Sequence, residues 1–188
     1  LVVPRPIGWI STLDAEGRAN LAPYSFFNGC GDAPPMVMFA QSGRKDRETL
    51  EKDSIANIRA TGEFACNLVG RAMAEAMNVS SGPYPAGEDE FAAAGLAPAP
   101  GTAIAAPHVA GAPAVLECRL VRIVDDLPHW KAHQRNVMVI GEVVGAGGEV
   151  FACSAPVEVF EHAPERGLVD GTLPKADTIL VDAVTSPW

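Results

Sequence analysis

The chain has 188 residues, enough for one domain with a sizeable core, and a formal net charge of −9. So acidic a surface repels phosphate backbones, which sets nucleic acid aside as a partner. No apolar run approaches the roughly 20 residues that a membrane-spanning helix needs. The chain opens on Leu1, so its native start is expected upstream; no secretory pattern is visible, and a cytoplasmic protein is expected.

Glycine and proline are abundant and apolar runs are short, which favours a β-rich domain. Residues 6–13 read as the first strand. Residues 14–17 form a hairpin turn in which Gly17 is free to take positive φ, and a second strand follows from Arg18 towards Tyr24. Pro34 and Pro35 punctuate the chain, and residues 36–40 are a buried strand. Asp53 is predicted as the N-cap of a helix over 54–60, with Ile55 and Ile58 on one face and Gly62 as its stop. Residues 64–69 form a strand. Residues 71–78 form a short helix whose Met73 and Met77 are core side chains.

Residues 80–113 are irregular, a loop length that is often functional. Only residues 88–94 read as helical there, and Phe91 and Leu96 need somewhere to pack. Residues 115–125 form a long strand with Leu116, Cys118 and Leu120 opposite Glu117 and Arg119; the alternation slips near Val121, which predicts a bulge. Residues 136–144 form a nearly continuous apolar strand expected to be covered on both faces. A turn is predicted over 145–148 and a last strand over 157–160. The sum is a mainly β, six-stranded split β-barrel of Greek-key type with a few short helices, in one domain spanning 1–188. Cys30, Cys66, Cys118 and Cys153 form no C-x-x-C pair and have small or apolar neighbours, so all four are expected as buried free thiols.

Two segments have the chemistry of a binding site. In residues 20–29 an apolar strand end gives way to aromatics and small hydrogen-bonding groups. Flat ligands need apolar walls and a few oriented polar groups, which Ser25, Asn28 and the backbone of Phe26 and Phe27 can supply. The plainer alternative is a strand leading into a polar turn. The second segment joins Ser42, Arg44, Lys45 and Arg47 to Lys52-Asp53-Ser54 at a helix start, where hydroxyls, cations and the helix dipole favour a phosphate. Its alternative is a solvated loop with a simple cap. His129 and His133 have helical i, i+4 spacing but no third ligand, and are read as exposed or hydrogen-bonded histidines rather than a metal site. No GxSxG elbow occurs, and no GxGxxG follows a strand.

In this order the segments resemble the flavin reductase-like family of FMN-binding split barrels. The resemblance is carried by Arg5-Pro6-Ile7-Gly8-Trp9-Ile10-Ser11-Thr12, by NLAPYSFFN over 20–28, and by Lys52-Asp53-Ser54-Ile55-Ala56-Asn57-Ile58 with Ser in place of Thr. EFACNLV over 63–69, GEDEFAAAGL over 87–96 and LECRL over 116–120 add to it, from about residue 5 to residue 144. It implies a homodimer with FMN near the subunit interface. Tyr24, Ser25, Phe26, Phe27 and Asn28 would line the isoalloxazine and ribityl chain, and Ser42, Arg44, Lys52 and Ser54 the phosphate; Ser11 completes the expected cofactor set. It further implies reduction of FMN by NADH or NADPH for a partner monooxygenase or another acceptor, with no catalytic acid or base assigned. After Val144 the family's histidine-bearing strand and Arg-x-Gly-Gly-x-x-Tyr-like segment are not found. That departure motivates an alternative, an FMN-binding electron carrier or redox sensor without its own NAD(P)H site.

Overall fold

The computed structural model describes residues 5–42, 51–129 and 135–147. Strands β1 (Gly8–Leu13) and β2 (Ala19–Tyr24) form the expected hairpin. Asp14 Oδ1 accepts from the Glu16 and Arg18 amides, and Gly17 takes φ +81°, so the turn is closed by its own residues. β3 (Phe27–Asp32) pairs with β4 (Pro35–Gln41), then come helix α1 (Asp53–Thr61) and β5 (Glu63–Asn67). A 3₁₀ turn at Arg71–Met73 leads into α2 (Ala74–Ser80), followed by the single-turn α3 (Glu90–Ala93). The two-residue strands β6 (Pro98–Ala99) and β7 (His108–Val109) pair with each other, and the chain returns as β8 (Val115–Val124) and β9 (Val137–Gly147).

The main sheet is antiparallel with the order β2-β1-β5-β8-β9-β4-β3. It curls so that its two ends approach without pairing: the Tyr24 ring of β2 lies 4.6 Å from the Phe39 ring of β4. Side chains fill the space between the ends instead of hydrogen bonds, which makes the barrel split. The interior holds Ile10, Phe39, Phe64, Cys118, Val137 and Val139, closed at one mouth by Ile55 and Ile58 of α1. Two isoleucines three apart face one way on a helix, so α1 plugs the barrel. A second core lies outside β1 and β2, where Trp9 and Leu21 pack under Met77 and Phe91. β1 therefore has burial on both faces, and its polar Ser11 and Thr12 need internal partners.

The mainly β split barrel stands as expected, with seven strands in the main sheet rather than six. The additional strand is β3, almost wholly exposed, which owes its strand geometry to pairing with β4. Asp53 is not the N-cap. Lys52 holds that position with no side-chain cap hydrogen bond, and Asp53 is the first acidic residue of the helix. Gly62 does end α1, in the left-handed conformation at φ +74°. The turn predicted at 145–148 is replaced by β9, which runs on through Gly147. Over residues 137–141 β9 alternates between buried and half-buried, and its last two residues are exposed.

The bulge at Val121 is present between Leu120 and Arg122, and a second lies between Glu117 and Cys118. The predicted helix at 88–94 shrinks to one turn capped by Asp89, whose carboxylate accepts from the Phe91 and Ala92 amides. Cys66 and Cys118 are buried thiols; burial pushes both up, Cys118 to about 12. Cys30 is exposed on β3, contrary to expectation. Cys153, His133 and the strand predicted at 157–160 lie outside the described residues. No helix among the described residues is long and apolar enough to cross a membrane.

Candidate functional site

The split is where the chain leaves β2, bends at Ser25 and Phe26, and re-enters the sheet as β3. Tyr24 points inward. Burial pushes its phenol well above the ordinary value, and its hydroxyl lies beside Ser54 without a hydrogen bond of normal geometry. Phe26 points outward and is 45% exposed, with the Arg5 guanidinium carbon 5.0 Å from its ring centroid. Its carbonyl accepts from the Ala40 amide, which fixes the bend against β4. Phe27 turns back onto the interior core, over Gly8, where an added Cβ would stand 2.5 Å from the phenyl Cδ2. Asn28 is exposed and accepts from the Gly29 amide through Oδ1.

The head of α1 lies against this bend. Lys52 Nζ stands 5.0 Å from the Tyr24 ring centroid, a cation over an aromatic face. The Lys52 amide donates to Gln41 Oε1 at 2.8 Å, and Gln41 Nε2 reaches the Arg135 carbonyl at 3.3 Å. Gln41 thus ties the end of β4 to the head of α1 and to the start of β9. Beside it opens a cleft of about 350 Å³ lined by Phe26, Ala40, Gln41, Ser42, Leu127, Pro128 and Asn136. Asn136 Nδ2 donates to the Pro128 carbonyl at 2.6 Å and braces the far wall. Its lining is mostly apolar with a polar rim, and its size falls in the range of about 300–1,000 Å³ typical of small-molecule sites.

The expected residues thus divide. Tyr24, Ser25, Phe26, Phe27, Asn28, Ser42 and Lys52 gather around the split. Ser11 does not: it is fully buried, and its hydroxyl donates to the Pro107 carbonyl at 2.5 Å and accepts from Asn67 Nδ2 at 3.0 Å. Ser54 adjoins the split but is only 1% exposed and donates to Asn20 Oδ1 at 2.9 Å. Both hydroxyls are engaged by the fold. Arg44 lies outside the described residues. Gln41, Leu127, Pro128 and Asn136 were not anticipated, because their part depends on residues distant in sequence meeting at the end of β4. A smaller hollow on the far side of Asp53 is lined by Asp14, Glu16, Asp53 and Glu88; its Arg18 is paired with Asp14 and Glu16. It is the wrong sign for an anion. His129 is exposed, and the described residues hold no metal-sized group of three or more His, Cys, Asp or Glu.

A family model described as the flavin reductase like domain matches residues 2–153. The chain belongs to the flavin reductase-like family. A protein of Deinococcus radiodurans is 45% identical over 148 residues, 77% of this chain and 61% of that protein. Two further curated relatives are spanned over 62% and 63% of their length, so the chain covers about three fifths of them. Among solved structures, nitrilotriacetate monooxygenase component B from Bacillus cereus superposes with a TM-score of 0.71 at 30% identity, over 78% of this chain and 71% of that one. The 2-nitrobenzoate 2-nitroreductase of Pseudomonas fluorescens gives 0.67 at 32% identity, over 79% and 66%.

Proposed function

We propose that this flavin reductase-like chain binds FMN at the split and passes electrons from NADH or NADPH through it to a partner monooxygenase or another acceptor. The observation that carries the reading is the join made by Gln41: an apolar cleft under Phe26 and a cation at the head of α1 stand side by side. Phe26, Ala40 and Leu127 offer an apolar wall for a flat ring. Ser25, Asn28, Ser42 and Asn136 offer polar groups at its rim. Lys52 and the positive end of the α1 dipole suit a phosphate. A flavin held there supplies hydride acceptance from a nicotinamide and onward electron delivery, while the protein positions and shields it. Ser11 and Ser54 act from behind as scaffold.

The names of the similar structures support this direction, since one is a monooxygenase component and another a nitroreductase. Exposed Phe26 and the exposed β3 edge suit coverage by a second copy of the chain, and the proposed active form is a homodimer. The test is NAD(P)H oxidation by purified protein with saturating FMN. The reading expects rates well above a protein-free control with at least one donor. No turnover with either donor contradicts it. FMN that stays bound through purification yet is reduced only by a protein partner would mark an electron carrier instead.

A further inference from the structure

Three buried positions alternate along β4: Val37, Phe39 and Gln41. The first two belong to the interior core, and the alternation calls for a third apolar side chain. Gln41 stands there instead and is only 1% exposed. A buried carboxamide costs free energy unless both its ends are bonded. Both are: Oε1 accepts from the Lys52 amide at 2.8 Å, and Nε2 donates to the Arg135 carbonyl at 3.3 Å. A polar group that breaks a core pattern in this way points to a task other than packing.

What Gln41 holds is the start of α1. Lys52 is the N-cap and makes no side-chain cap; its carbonyl accepts from the Ile55 and Ala56 amides at 3.0 and 3.1 Å, so the first turn hangs on this residue. Its Nζ stands over the Tyr24 ring. At the other end of the carboxamide, Arg135 precedes Asn136, which braces Pro128 on the far wall of the cleft. A carboxamide suits both ends, because it accepts on one side and donates on the other; a carboxylate only accepts and an ammonium only donates. Resting on the flavin reading above, we propose that Gln41 is a positioning residue that sets the preference of the site for a phosphorylated flavin: by pinning the Lys52 amide beside the cleft it fixes the spacing between the ring wall and the cation. FMN gains over riboflavin by engaging both places at once, and that gain depends on the spacing being held.

Gln41→Met tests this. It keeps the length of the side chain, carries no charge that could act on a phosphate directly, and continues the apolar series of Val37 and Phe39. Affinities for FMN and riboflavin are read by flavin-fluorescence titration of four proteins: native, Gln41→Met, Lys52→Ala and the double variant. Gln41→Met should lower the FMN-to-riboflavin affinity ratio about fivefold. In the Lys52→Ala background the same change should move the ratio by less than about twofold, because the cation it positions is already gone. A residue that merely supports the fold would weaken both flavins alike and ignore Lys52.

A ratio that ignores Gln41→Met overturns the proposal, as does an equal fall with and without Lys52. Hydrogen exchange of the Lys52 amide in native protein serves the same test should the Met variant not fold. An N-cap amide lies outside the hydrogen bonds of its own helix, so slow exchange there reads the hold of Gln41. The amide should exchange slowly in free protein and more slowly with FMN than with riboflavin; exchange at the rate of an unfolded chain, or equal slowing by both flavins, overturns the proposal. Native protein that binds neither flavin defeats the flavin reading and the proposal with it, whereas binding of both with an unmoved ratio defeats the proposal alone.

Discussion

Glu117 and Glu90 are the two buried glutamates among the described residues, and they lie in opposite electrostatic settings. Glu117 on β8 is 3% exposed and holds the loop before β7: Oε1 accepts from the Thr102 amide and hydroxyl, and Oε2 from the Ala103 amide. Burial alone would raise its pKa, but those hydrogen bonds outweigh burial and the net shift is downward. At Glu90 burial outweighs the Leu21 amide, its own amide and the Asn20 side chain, the Asp53 charge adds to the rise, and the net shift is upward. Each carboxyl has two backbone donors and one side-chain donor; beside burial, the nearby charges differ in sign, His108 lowering Glu117 and Asp53 raising Glu90. Glu117 is therefore a staple, whereas Glu90 ties α3 to β2 at a cost.

The largest expected effect breaks the staple. Glu117→Ala leaves the Thr102 and Ala103 amides without their acceptor and should remove about 3 kcal/mol of stability in urea unfolding. A loss below about 1 kcal/mol would erase the contrast. Glu90→Ala should cost less, about 1–2 kcal/mol, because relief of charge burial offsets the lost hydrogen bonds.

The smallest effect is the sharpest, because the two groups differ in sign with pH. The folded-state pKa of Glu117 lies below the ordinary 4.5, so its stabilisation is present above that value and is lost as pH falls through the folded value. Glu90 titrates above 4.5 when folded, so its penalty is full above that raised value and lifts as pH falls through it. Stability curves of Glu117→Gln and Glu90→Gln should therefore depart from the native curve on opposite sides of pH 4.5. Curves that bend the same way would contradict the account.

Much of this architecture is readable from local chemistry. The Asp14–Gly17 turn, Ile55 and Ile58 under α1, the left-handed Gly62 and the bulge at Val121 each follow from spacing and residue type. β3 does not, because Asn28-Gly29-Cys30-Gly31-Asp32 has no apolar alternation and is a strand only through its partner. The end of β9 is hidden for a related reason: Gly145 lies close over buried Glu117, so glycine marks a close approach there rather than a turn. At the site, the aromatic bend and Lys52 stand out in the sequence, whereas Ser11 and Ser54 carry the right hydroxyls for a ligand and spend them on Pro107 and Asn20. Glu90 follows Glu88 and Asp89, and nothing local says which of three acidic neighbours is buried. Only the seat of α3 against β2 decides it.

The central claim is that the head of α1 grips the anionic end of the cofactor. Flavin-fluorescence titration of native protein and Lys52→Ala, with FMN and with riboflavin, tests it most directly. Loss of a charge-assisted contact worth about 1.5–3 kcal/mol should weaken FMN by roughly tenfold or more while leaving riboflavin within about twofold. Equal weakening of both ligands, or none of either, would place the phosphate elsewhere and contradict the account.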